Sequence, residues 1–187
     1  MRLTKTLAAG AVALAALVTL TGCGSDESGG GSGGGSGSSA GADGPLSKLP
    51  KANTMADVQK ALVERGIECN ELSSSREGMT YMESEAKDPA WGIKERAACH
   101  DGGGSSVILL LIGDLATFQT SLANTGDTFT VGQNFAVAAE NDSTGQSLVQ
   151  NGLLVLSCDQ SIRDSVPSGF EIHEGLVKGC FTTNHKA

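Results

Sequence analysis

Aromatic and basic side chains are both scarce in this chain of 187 residues, and each shortage limits what the protein can bind. Five Phe, one Trp and one Tyr make up 4% of the residues, too few for the aromatic platform of a carbohydrate-binding surface. Thirteen Lys and Arg face 21 Asp and Glu, which gives a formal net charge of −8. Because an acidic chain repels phosphate backbones, and no basic stripe interleaves with aromatic residues, we expect no nucleic-acid partner.

Motifs that would name a reaction are also lacking. G-x-S-x-G spacing, which marks a nucleophile elbow, occurs only within the Gly/Ser-rich tract at 24–44. The chain has no H-E-x-x-H zinc motif and no P-loop. The three histidines, His100, His173 and His185, are too sparse to define a site. The stretch DGGGSS at 101–106 has the composition of an anion-binding nest, but a Gly run between two strands is typical of a turn. We therefore predict no catalytic residue and no cofactor.

The longest apolar run lies at the start of the chain. Arg2 and Lys5 precede fourteen uncharged residues at 7–20, mostly Ala, Val and Leu. A helix that crosses a membrane needs roughly 20 apolar residues, so this run is too short to span one comfortably. A basic start, an apolar stretch of this length and small residues at its end are typical of a secretory signal.

The run ends in LTGC at residues 20–23, which resembles the lipobox of bacterial lipoproteins. In that family the thiol receives a diacylglyceryl group and the chain is cut just before it. The resemblance implies a signal peptide at 1–22, lipidation of Cys23, and a protein held on the extracytoplasmic face of the cell membrane. The alternative is an ordinary secretory signal in which Cys23 is a chance residue. The following 21 residues, 24–44, are rich in Gly and Ser and predict a flexible tether with a span of about 25 Å.

Lipidation of Cys23 would leave four cysteines for the domain at 45–187, namely Cys69, Cys99, Cys158 and Cys180. In an oxidising compartment these are expected to form two disulfides, for which three pairings exist. The pairing favoured here is the sequence-local one, Cys69–Cys99 with Cys158–Cys180, which staples each half of the domain separately. Because no pair has C-x2-C spacing, the rival interpretation as a zinc site is disfavoured and no metal is expected.

Hydrophobic periodicity predicts an α+β fold with a mostly antiparallel sheet packed by two to three helices and crossed by two disulfides. Residues 107–112 are apolar on both faces of the predicted strand, which indicates a central strand that is covered on both sides. The other predicted helices lie at 55–65, between the capping residue Asp114 and Gly126, and at 143–151. Strands are predicted at 94–100, 105–113, 128–140 and 153–158, with a long loop at 70–93 and a Gly-interrupted terminal segment at 170–182.

A longer stretch of the domain resembles a group of small actinobacterial lipoproteins, most of them of unknown function. The features that carry the resemblance are a cysteine, a glycine hairpin, an apolar strand, an Asp-started helix and a V-G-x-N-[WF]-x-V strand. In this chain the last motif comprises Val131, Gly132, Asn134, Phe135 and Val137. The resemblance covers roughly residues 54–152 and implies fold and location, with no catalytic residues to transfer.

Two functions from different classes remain open. The first is a lipid-anchored module without enzymatic activity that binds an unknown protein or small ligand at the cell envelope. The second is an envelope hydrolase or other enzyme whose site is assembled from scattered residues. The candidate contact residues are Tyr81 and Trp91, the only Tyr and Trp of the chain, both in the predicted loop at 70–93. The alternative for both rings is that they cover the sheet.

Overall fold

A computed structural model describes residues 44–186, which contain eight strands and four α-helices. The strands are β1 (Asn70–Ser73), β2 (Ile93–His100), β3 (Ser106–Ile112), β4 (Phe129–Val131), β5 (Phe135–Ala139), β6 (Leu154–Ser157), β7 (Ile172–Glu174) and β8 (Phe181–Thr183). The helices are α1 (Met55–Val63), α2 (Leu115–Thr125), α3 (Asp142–Gln150) and α4 (Gln160–Ser165). The predicted signal peptide, Cys23 and the tether up to residue 43 lie outside the described residues.

All eight strands belong to one antiparallel sheet, in the order β1-β2-β3-β5-β4-β6-β8-β7. The predicted α+β class with a mostly antiparallel sheet is therefore confirmed. The described residues contain four α-helices where two to three were expected. The additional helix, α4, has six residues and begins at an Asp159 side chain that accepts a hydrogen bond from Ser161 N. So short a helix carries no periodic apolar stripe by which a sequence could reveal it.

The alternation of β3 divides the core into two layers. Val107, Leu109 and Leu111 point to one face, where they pack with the buried side chains of α1 and with Leu148 of α3. Ile108, Leu110 and Ile112 point to the other face, where they pack with α2 and with two methionines from the segment before β2. The prediction that this strand is covered on both sides is confirmed.

Local capping signals explain where the first two long helices begin. The Thr54 hydroxyl accepts from Asp57 N while the Asp57 carboxylate accepts from Thr54 N, a reciprocal capping box. The Asp114 side chain caps α2 by accepting from Thr117 N, and Gly126 ends that helix at φ 76°. Both helices were predicted, and α1 ends two residues earlier than expected.

The strand predicted at 128–140 is in fact two strands, β4 and β5, joined by a tight turn. Gly132 N donates to Phe135 O, and a Cβ on Gly132 would collide with the Phe135 ring. The Asn134 side chain bonds both main-chain groups of Ala52, at 2.9 Å and 2.7 Å, and so ties the turn to the segment before α1. The V-G-x-N-F pattern is therefore the sequence of a turn.

Two more predicted segments contain strands. The loop expected at 70–93 includes β1 and two 3-10 turns, Glu85–Lys87 and Pro89–Trp91. β1 lies at one edge of the sheet, and none of its residues is fully buried. Its sequence therefore lacks the alternation of apolar and polar residues that reveals a half-buried strand. The terminal segment at 170–182 becomes the antiparallel pair β7 and β8.

The disulfide pairing predicted from the sequence is confirmed. Cys69 joins Cys99, and Cys158 joins Cys180, with sulfur separations of 2.10 Å and 1.98 Å. The first bridge connects the residue before β1 with β2, and the second connects the end of β6 with the start of β8. Each bridge therefore lies within one end of the sheet.

Candidate functional site

The sheet forks between its two central strands. β5 pairs with β3 as far as Ala139↔Val107, whereas its pairing with β4 stops at Val137↔Thr130. β4 continues instead along β6 to Phe129↔Leu156. Beyond the last β4–β5 pair the sheet therefore separates into two groups of four strands, β1-β2-β3-β5 and β4-β6-β8-β7.

A cavity of about 530 Å³, here called the fork cavity, opens where the two groups separate. Its volume lies within the roughly 300–1,000 Å³ that is usual for small-ligand sites. Its walls combine apolar side chains with hydroxyl groups: Gly78, Met79, Thr80, Tyr81, Ser106, Ile108, Thr128, Phe129, Thr130, Val137, Ala138, Ala139, Glu140, Gly145, Val155 and Lys186. These residues come from seven separate parts of the chain.

Main-chain groups of β5 point into the fork. Glu140 N donates to Ser106 O, so even-numbered residues at this end of β5 direct their main chain toward β3. Because successive residues of a strand alternate, the N–H and C=O of Ala139 point to the opposite side, where β4 has already diverged. Within residues 44–186 we find no main-chain hydrogen bond between Ala139 and Thr128, the residue that would face it in a continued ladder.

Tyr81 forms part of the wall of the fork cavity. Its side chain is 46% exposed, and its ring is stacked on Phe129 with centroids 6.2 Å apart. The Tyr81 hydroxyl donates to Asp127 Oδ1 at 3.2 Å. Partial burial, together with the negative charge of Asp127, raises the pKa of Tyr81 above its ordinary value. The hydroxyl therefore stays protonated at neutral pH.

Arg96 fixes the segment that carries Tyr81, a role that the sequence did not reveal. The Arg96 side chain, on β2, is only 7% exposed. Its guanidinium donates to the carbonyl oxygens of Tyr81, at 2.9 Å from Nε, and of Met79. Burial lowers the pKa of Arg96. Met82, the residue after this segment, is buried and has φ 61°, a left-handed conformation that is uncommon for a residue with a side chain.

The charged residues that line the fork cavity have opposite signs. The Glu140 carboxylate accepts from Ser106 N at 3.0 Å, and this hydrogen bond holds the pKa of Glu140 below its ordinary value. Lys186 Nζ lies 3.3 Å from Asp142 Oδ1, and its aliphatic stem lies against Gly145 where a Cβ would collide with it. A glycine in the middle of α3 costs about 1 kcal/mol relative to Ala, and the close approach of Lys186 explains its presence.

Trp91 is placed differently from Tyr81. It is half-buried at the end of a 3-10 turn, with its ring centroid 6.2 Å from that of Phe118 on α2. It packs against the same core layer as Phe118 and is not part of the fork cavity. The structure thus separates the two aromatic residues that the sequence placed in one loop, and a contact role for either of them stays a prediction.

The Gly-rich turn between β2 and β3 directs its N–H groups to a side chain of its own. Asp101 Oδ1 accepts from Gly103 N at 2.9 Å and from Ser105 N at 2.8 Å, and Oδ2 accepts from the Thr144 hydroxyl at 2.7 Å. The adjacent His100 contacts Gly104 O through Nδ1. Because Asp101 already occupies these donors, the turn links the hairpin to α3 rather than forming a nest for an external anion.

Replacing Asp101 by Asn is expected to make the unfolding free energy less dependent on pH in the acidic range. The Thr144 hydroxyl, with the turn N–H groups, holds the pKa of Asp101 below its ordinary value. A depressed native pKa contributes stability above the unfolded value of about 3.9, and this contribution is lost as the pH falls through the native pKa. Urea unfolding between pH 2 and pH 7 should give Asp101→Asn a lower stability at neutral pH and a shallower decline below pH 4. The matched control Asp164→Asn, at an exposed position, should show the same pH dependence as the parent protein. Equal slopes of unfolding free energy against pH for all three proteins would contradict the prediction.

The remaining histidines and a Ser/Lys pair do not form a catalytic arrangement. His173 Nε2 lies 3.2 Å from Glu171 Oε2, and His185 packs on Phe170. S-x-x-K spacing occurs at Ser84 and Lys87, but the hydroxyl bonds Glu85 and the ammonium bonds Glu83, both at 2.8 Å. In residues 44–186 no three His, Cys, Asp or Glu side chains lie close enough together to hold a metal ion.

Comparisons with protein-family models, with curated proteins and with solved structures find no match to this chain. The resemblance to small actinobacterial lipoproteins therefore stays an expectation. Among the helices of residues 44–186, none has both the length and the apolarity that crossing a membrane requires.

Proposed function

We propose that this protein is a lipid-anchored binding protein on the extracytoplasmic face of the cell membrane, which takes a small ligand in the fork cavity. The observation that carries the proposal is the cavity itself. It opens in the sheet where β4 leaves β5, and its wall includes Tyr81, a half-exposed aromatic residue whose main-chain carbonyl accepts a hydrogen bond from buried Arg96. Apolar walls with a few well-placed polar groups are the usual composition of a ligand site.

The chemistry of the lining favours binding over hydrolysis. A hydrolase needs a nucleophile within hydrogen-bond reach of a base. The hydroxyls of the fork cavity belong to Thr, Ser and Tyr, and none of the residues that line it is a histidine. The Glu140 carboxylate is held by Ser106 N, and the Lys186 ammonium lies beside Asp142. Hydrogen bonds from the main chain and side chain of Ser106 hold the pKa of Glu140 below its ordinary value, so this carboxylate is a poor base for activating a neighbouring hydroxyl.

The anchor is supported by the LTGC stop and by the tether that follows it. Replacing Cys23 by Ala is expected to release the protein from membranes, because each buried methylene of a lipid chain contributes about 0.8 kcal/mol. The measurement is membrane fractionation after a carbonate wash. The matched control is Cys23→Ala in a protein that carries an artificial transmembrane helix, which should remain in the membrane fraction. A Cys23→Ala protein that still sediments with membranes would show that the lipoprotein assignment is wrong.

The binding site is tested by screening soluble small-molecule fragments by amide NMR against residues 44–187. Fragments should shift the signals of Tyr81 and Ala139, and Tyr81→Ala should weaken the best of them about tenfold or more, since an aromatic wall residue is lost. Arg96→Met should weaken binding as well, because the segment at 79–81 loses its clamp. The control is Val63→Ala, at an exposed position of α1. Fragments that shift only signals outside the fork cavity would refute this site.

A further inference from the structure

We propose that the ligand of the fork cavity is a short extended peptide whose main chain pairs with that of Ala139. This inference rests on the proposed function of the cavity and adds the chemical class of the ligand. Three observations carry it: the main-chain groups that β5 leaves unpaired, the access to both faces of the sheet, and the balance of charge in the wall.

The first observation concerns hydrogen bonds. Glu140 N is bonded to Ser106 O, so the N–H and C=O of Ala139 face the fork, on the side that β4 has left. Ala139 is half-buried and lines the cavity. A strand edge that is exposed in this way recognises extended peptides by adding a strand, in which the main chain supplies the hydrogen bonds. The gap is one residue pair long, because the strand ends here and α3 begins at Asp142.

The second observation concerns side chains. Successive residues of an extended peptide point to opposite faces of the sheet that it joins. The fork cavity reaches both core layers, since Ile108 belongs to the face covered by α2 and Val137 to the face covered by α1 and α3. Phe129 and Val155 extend these two apolar walls on the β4–β6 side. A peptide in the fork would therefore place small apolar side chains alternately against each wall.

The third observation concerns charge. One carboxylate and one ammonium, from Glu140 and Lys186, line the cavity together with uncharged hydroxyls. Opposite charges in one wall disfavour a ligand with several charges of one sign, such as a nucleotide or a sugar phosphate. A peptide main chain is neutral and carries both a donor and an acceptor for each residue, which matches the groups that the wall presents.

The test uses acetylated and amidated tripeptides with Val, Leu or Phe at the centre, together with a second set in which the central nitrogen is methylated. N-methylation removes the donor of the peptide and leaves the protein unchanged. The parent peptides should shift the amide signal of Ala139, and methylation should weaken binding about tenfold, the loss expected for one hydrogen bond. Ala139→Pro removes the N–H from the protein side at a position where no native ladder bond is lost. Val63→Ala is the control.

The outcomes separate this inference from the proposed function. Peptides that bind at Ala139 and weaken on methylation support it. Peptides that bind equally well with and without methylation overturn the main-chain pairing, while the cavity remains a binding site. If fragments shift Tyr81 and Ala139 but no tripeptide does, the peptide class is wrong and the proposed function stands. If neither shifts them, both proposals are wrong.

Discussion

The double variant Cys158→Ser/Cys180→Ser is expected to lose about 3–4 kcal/mol of unfolding free energy, in the chain-entropy account of a loop of this size. The bridge closes a sequence separation of 22 residues and joins β6 to β8, where Cys180 is fully buried. It also holds the loop at 175–179 against α2. There the Gln119 side chain accepts from Val177 N at 3.0 Å, and a Cβ on Gly175 would lie 2.7 Å from Gln119 Oε1. Loss of the bridge therefore has two effects: it raises the conformational entropy of the unfolded chain, and it loosens the closely packed loop at 175–179 in the folded state.

Urea unfolding of the oxidised proteins measures the loss, and hydrogen exchange locates it. Amides of β6, β7 and β8 should lose protection before those of β2 and β3, because the bridge lies wholly within the second group of strands. The matched variant Cys69→Ser/Cys99→Ser removes a bridge with a separation of 30 residues and should expose β1 and β2 instead. Under full reduction both bridges are absent from all three proteins, so each variant should match the reduced parent protein in stability. A loss below about 1 kcal/mol, or uniform exchange in both variants, would contradict the prediction.

Phe118→Ala is expected to destabilise the domain by about 3–5 kcal/mol, the usual cost of truncating a fully buried Phe. Phe118 lies on α2, has no exposed surface, and stands between two other rings. Its centroid is 5.5 Å from that of Phe129 in an edge-to-face arrangement and 6.2 Å from that of Trp91. Truncation leaves a cavity in the layer that supports the fork, since Phe129 is a wall residue of the fork cavity.

The matched control is Phe170→Ala, which removes the same side chain from a position that is 45% exposed. Surface substitutions usually change stability by no more than about 0.5 kcal/mol, so the two phenylalanines should differ several-fold in effect. Thermal and urea unfolding measure both variants under identical conditions. Similar losses for Phe118 and Phe170 would show that α2 does not form one of the two core layers.

Local signals account for the parts of the fold that the sequence predicted. α1 and α2 were found because Thr54 and Asp114 are N-cap residues and apolar residues follow at helical spacing. The β2–β3 hairpin was found because a Gly-rich turn separates two apolar runs. The disulfide pairing followed from sequence distance alone. The helices and the hairpin depend on residues that are neighbours in the chain, and each disulfide joins two cysteines that are consecutive among the four of the domain.

The missed elements depend on neighbours in space. β1 has a polar sequence and exists because β2 offers it an edge. The break between β4 and β5 required Asn134 to bond Ala52, a residue 82 positions away. Arg96 lies in the predicted strand at 94–100, and only the fold brings the carbonyl oxygens of Met79 and Tyr81 to its guanidinium.

The sequence by itself predicted the capped helices, the central apolar strand and the favoured disulfide pairing. Short-range hydrophobic periodicity encodes the helices and the strand, and the spacing of the cysteines favours the pairing. The tertiary structure alone decided where the proposed ligand site lies. The fork cavity draws its wall from residues near 80, 108, 129, 139, 155 and 186, and it exists because β4 and β5 each keep their outer partner beyond Thr130↔Val137. A divergence of two strands is a property of the whole sheet, so no short segment of the chain carries a signal for it.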